Sequence, residues 1–169
     1  MKKLLALILV LACTLALASC LGGTEGNNPE AEDNSGSFAY TLLDDGSYSV
    51  TGLTEEGKLE KTLTIPATYE GKNVTVLSQG AFDGAAVETL IITEDTNVRV
   101  LANGAFSGAA SLSKVYIYFD NADQITPSTD FADASKDLTI YVPEGSSYDV
   151  AYSWEPVANI SGRIQYIGE

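Results

Sequence analysis

The chain has 169 residues, a formal net charge of −14 and no histidine. The length predicts one domain, the acidity argues against nucleic acid or anionic lipid heads as partners, and the missing histidine removes the commonest general base and metal ligand.

The start, MKKLLALILVLACTLALASC, carries two lysines, an apolar run over residues 4–18 and small residues leading into Cys20. The run is shorter than the roughly 20 residues of a membrane-spanning helix, and its flanks are those of an export signal. Leu17, Ala18, Ser19 and Cys20 resemble the lipobox of bacterial lipoproteins, in which the thiol is acylated and the chain is cut just before it. Residues 1–19 are therefore read as a signal peptide and Cys20 as the lipid attachment site. Cys13 leaves with the leader, so the acylated chain keeps no free thiol, which excludes disulfides, thiol catalysis and thiolate metal sites. Without Lys2 and Lys3, seven basic residues face 23 acidic ones, a net charge of −16.

Residues 20–37 are polar and acidic, with no apolar period, and predict a flexible linker about 20–25 Å in reach. Residues 38–62 open with FAYTLLDDGSYSV, two alternating runs around Asp45 and Gly46, a dipeptide suited to the positive φ of a hairpin turn. Tyr40 and Leu42 with Tyr48 and Val50 would form one apolar face of this N-terminal cap.

Over residues 63–143 a phrase recurs. GAFDGAA at residues 80–86 returns as GAFSGAA at residues 104–110, and Phe82, Phe106 and Phe131 stand about one 25-residue period apart. Repetition at roughly 20–50 residues marks a stacked architecture. Short alternating runs place Leu63/Ile65, Leu90/Ile92, Val115/Ile117 and Leu138/Ile140 on one side, a period of two that predicts strands. VTVL (74–77) and VRVL (98–101) supply a second short strand per unit. One such unit cannot bury its own apolar side, so units stack, with Phe82, Phe106 and Phe131 as an internal ladder. Gly80 and Gly104 are expected at positive φ. Residues 144–169, with Tyr152, Trp154 and Ile160, are expected to cap the last rung.

The series SYSVTGL, LTIPATYEGKNVTVLSQGAF, GAFxGAA and IYVPEGSSYDVAYSW resembles the BspA-type leucine-rich repeat proteins of bacterial surfaces, over residues 38–167. Ala85, Ala109 and Ala134 stand where repeats of that type often carry cysteine. The resemblance implies a short solenoid, mainly β or α/β, with parallel strand rungs between an N-terminal hairpin cap and a C-terminal cap. It also implies attachment to host proteins, matrix or neighbouring cells.

The residues themselves offer no catalytic constellation, no cofactor motif and no metal site. Neither a Ser-His-Asp nor a Cys-His arrangement can be built. Ser111 to Lys114 match an S-x-x-K pattern but lack its partner motifs, and Asp120, Asp123, Asp130 and Asp133 lack calcium-loop spacing. What remains is surface: with Val115 and Ile117 inward, Tyr116 and Tyr118 point outward beside Ile91 and Tyr141, a candidate binding patch. The expectation is a monomeric, lipid-anchored cell-surface protein that binds an extracellular protein or glycan, touches the membrane only through its lipid and has no nucleic-acid partner. The alternatives are an envelope spacer without a soluble ligand and, more remotely, a surface hydrolase.

Overall fold

The computed structural model describes residues 29–125, 137–148 and 163–168. The signal peptide, Cys20, Phe131, Asp130, Asp133, Tyr152, Trp154 and Ile160 lie outside the described residues. Among the described residues ten strands follow one another: β1 (Phe38–Leu42), β2 (Tyr48–Leu53), β3 (Thr62–Ile65), β4 (Thr68–Tyr69), β5 (Lys72–Leu77), β6 (Thr89–Ile92), β7 (Val100–Leu101), β8 (Lys114–Ile117), β9 (Thr139–Val142) and β10 (Ile164–Tyr166). They form two sheets. One is wholly parallel, in the order β10-β9-β8-β6-β3, and the other runs β1-β2-β5-β4 with β7 also on β5.

The parallel sheet is the ladder that the repeat predicts. Leu63, Leu90, Val115 and Ile140 align across β3, β6, β8 and β9, as do Thr64, Ile91, Tyr116 and Tyr141 one residue on. The first set has no solvent exposure and belongs to the core. Val115 pairs with Ile140, where the alternating runs had suggested Leu138, a register shift of two residues. Side chains alternate with period two, so this shift leaves every residue on its expected face, and Leu138 stays buried.

The GAFxGAA phrase is explained by contacts between turns. Gly80 N donates to Gly104 O (2.8 Å) and Phe82 N to Ala105 O (3.3 Å), so identical turns stack. Gly80 and Gly104 take φ of 71° and 78°, where a Cβ is disfavoured. Phe82 and Phe106 are fully buried and stacked, with ring centroids 5.3 Å apart. Burial of each contributes about 1.5–3 kcal/mol.

The hairpin turns at Asp45-Gly46, with Gly46 at φ 83°. The register sets Tyr40 opposite Val50 and Leu42 opposite Tyr48; Phe38, on the same side of β1, and Val50 are buried, whereas Leu42 is about half exposed. β2 then pairs in parallel with β5, so the cap is also the first rung of the second sheet. At the other end β10 adds a parallel rung to β9, an element that the expected cap did not include.

Residues 29–37 correct the linker reading. A 3-10 turn, Ser35–Ser37, packs against a second one, Gly57–Leu59. Ser37 O accepts from Thr54 N at 3.0 Å, and a Cβ on Gly57 would clash with that same oxygen. Composition misses this packing because polar residues are held here through hydrogen bonds, not through apolar burial.

Candidate functional site

The tyrosine face lies opposite the core, as expected, but it is not an open patch. Thr64, Ile91, Tyr116 and Tyr141 form its in-register row. Ile91 has no exposure and Tyr116 only 5%, while Tyr118 and Tyr141 are half-buried. Tyr116 stacks on Tyr141 with centroids 4.5 Å apart and planes 9° apart, and Tyr118 lies 6.4 Å from Tyr116. The chain itself crosses this face. Pro29 O accepts from the Tyr118 hydroxyl at 3.2 Å, Glu32 N donates to Thr64 Oγ1 at 3.1 Å, and Asn34 Oδ1 accepts from Thr64 N at 3.0 Å. The last bond satisfies a donor on β3, the open edge of the parallel sheet. The alternation of the strands placed these tyrosines on the correct face. That a segment 30 to 89 residues earlier in the chain than its partners would cross it left no periodic signal.

Burial raises the pKa of Tyr116, with smaller contributions from Tyr141 and Tyr118, and burial alone raises that of Tyr118. Tyr40 is raised strongly by burial, then by Tyr69 and Asp33, and Tyr148 by burial, then by Asp120. A raised phenol pKa means that folding favours the neutral form, so this stabilisation is complete below the unfolded tyrosine value, about 10, and is lost as pH rises beyond it. The expected melting temperature is flat from about pH 8 to 10 and falls above it. Tyrosine absorbance in the folded protein should titrate later than in denaturant; coincident titrations would contradict the burial.

Beside Tyr118 the loops that leave the parallel strands enclose an open groove of about 650 Å³. Glu94 follows β6, Asp120 follows β8 and Glu144 follows β9, and Asn121, Gln124 and Ile167 complete the wall. All three carboxylates are exposed, and among the described residues no basic side chain lines the groove. A groove of this composition can accept hydrogen-bond donors and attract positive charge. The sequence held a signal for it. When the repeats are superposed, an acidic residue falls two or three positions after three successive rungs, but general acidity hides the pattern in a linear reading.

Ser111 and Lys114 of the S-x-x-K match are both exposed, and Leu112 between them is buried in the core. Asp120 and Asp123 are exposed, with Asn121 Oδ1 accepting from Asp123 N at 3.0 Å. Among the described residues no three metal-ligating side chains gather.

No family model matches the chain, and no curated protein does. Three solved structures are similar. A leucine-rich repeat protein from Bacteroides capillosus is 22% identical, with a TM-score of 0.48, over 63% of this chain and 94% of that one. The T. pallidum leucine-rich repeat protein is 17% identical, with a TM-score of 0.43, over 67% of this chain and 53% of that one. A leucine-rich cell surface protein from Faecalibacterium prausnitzii is 21% identical, with a TM-score of 0.45, over 71% of this chain and 38% of that one. The chain thus spans about half of the second and under two-fifths of the third. By its own repeated phrase, its in-register parallel rungs and its stacked phenylalanines, the chain has the leucine-rich repeat fold that its BspA-type resemblance implies.

Proposed function

We propose that the protein is an exported lipoprotein, anchored through Cys20, whose repeat domain binds an extracellular protein or glycan without catalysing a reaction. The observation that carries this reading is the groove at the C-terminal ends of β6, β8 and β9, which Glu94, Asp120 and Glu144 line with Tyr118 and two carboxamides. Rigid repeats hold these groups in fixed relative positions, so the wall is preorganised and little ordering opposes binding. Carboxylates and amides together suit a hydroxyl-rich glycan or a basic protein surface.

The test is an array of matrix proteins, mucins and bacterial glycans probed with the unlipidated mature chain, Cys20→Ser. Tyr116→Ala is unsuitable as a control because Tyr116 is buried. Glu94→Gln with Glu144→Gln removes charge at two exposed positions. A saturable hit is expected, weakened about tenfold in the double variant and with a shallower salt dependence if the ligand is basic. Unchanged affinity would remove the groove as the site.

A second reading, an envelope spacer without a soluble ligand, is favoured by the covered tyrosine face. It predicts a blank array from a fully folded protein, with specific recovery of partners from the same cell's envelope.

A further inference from the structure

The segment over residues 29–34 differs from the rest of the domain in how it is held. Its three bonds to the tyrosine face are Tyr118 to Pro29, Glu32 to Thr64 and Thr64 to Asn34. Ala31, Glu32 and Asp33 are exposed, so the segment buries little apolar surface of its own. Beside it lies an open cavity of about 380 Å³, bordered by Thr64, Thr93 and Asp95. Asp33 also borders that cavity with Asp95, two carboxylates on the same small volume. Each bond is exchanged for one to water on release, and such bonds retain little net stability. The rungs beneath are different: Leu90 and Val115 have no exposure and pair on both sides.

We infer that residues 29–34 are a removable cover, opening without the solenoid unfolding and thereby exposing the face between Thr64 and Tyr118. The cover shows by its own course what that face accepts: an extended peptide crossing the strands, with a carbonyl at Tyr118 and an amide at Thr64. Its opening is independent of the function proposed above. Only the identity of an incoming segment rests on that reading.

Native-state hydrogen exchange on the unlipidated mature chain tests the cover directly. The amides of Glu32 and Thr64 report the contact, and those of Leu90 and Val115 report the rungs. Glu32 and Thr64 are expected to exchange at least about 100-fold faster, with little dependence on low denaturant, as in local opening. In Asn34→Ala, Thr64 should exchange faster again, about tenfold, while Leu90 and Val115 keep their rates. Equal protection and equal denaturant dependence at all four amides would overturn the inference, because the segment would then belong to the cooperative core. So would a matching acceleration of Leu90 and Val115 in Asn34→Ala. Fast opening together with a blank binding array would leave the cover standing and remove the recognition reading. Uniform protection together with an array hit would do the reverse.

Discussion

Phe106→Ala is expected to cost the domain about 3–5 kcal/mol, the usual penalty for emptying a buried aromatic site. Phe106 has no exposure and stacks on Phe82 at 5.3 Å, so its removal leaves a void between two coils whose backbones are already bonded to each other. Those bonds, from Gly80 to Gly104 and from Phe82 to Ala105, keep the turns at their spacing and prevent collapse into the void. Since whole domains are stable by only about 5–15 kcal/mol, the loss approaches the whole. Thermal melting should show a fall on the order of 10–20 °C. Phe106→Leu should recover most of it. A melting temperature near the parent's would mean that the coils close up, and that the phenylalanine stack is not what spaces them.

Tyr148→Ala is expected to be comparably severe, about 3–5 kcal/mol, and Tyr148→Phe to cost about 1–3 kcal/mol. Tyr148 is fully buried, its ring lies 6.2 Å from that of Phe119, and its hydroxyl donates to Phe119 O at 3.0 Å. The alanine variant loses both packing and bond, while the phenylalanine variant loses only the bond and leaves the Phe119 carbonyl short of its donor. Urea unfolding of the three proteins separates the contributions. Equal midpoints for Tyr148→Phe and the parent would show that water replaces the hydroxyl and that packing alone holds the residue. Above about pH 10 the gap between parent and Tyr148→Phe should narrow, because the parent then also pays to keep a phenol neutral.

Tyr148 illustrates what a linear reading passes over. It lies outside the repeated phrase, in a segment whose apolar residues follow no period, and its partner Phe119 ends a different coil. Tyr118 is a contrasting case: alternation along β8 placed it opposite the core, and its face was legible. Its exposure was not, because exposure depends on what else reaches that face. The acidic groove falls between the two. Glu94, Asp120 and Glu144 are each ordinary loop carboxylates, and only stacking of successive coils turns them into one wall.

The sequence by itself determined the repeat, the strands of its repeated units, the inward set and the turns. Each follows from short-range rules: a period of two for side-chain direction, glycine at positive φ, and a recurring phenylalanine that needs a neighbouring coil for its burial. Only the tertiary structure decided the cover over the tyrosine face, the extra rung at β10 and the groove lined by carboxylates from three loops. These rest on hydrogen bonds and proximities between residues far apart in the chain, such as Glu32 with Thr64 and Pro29 with Tyr118. Such contacts involve single polar groups, which carry no periodicity along a chain, so folding alone brings them together.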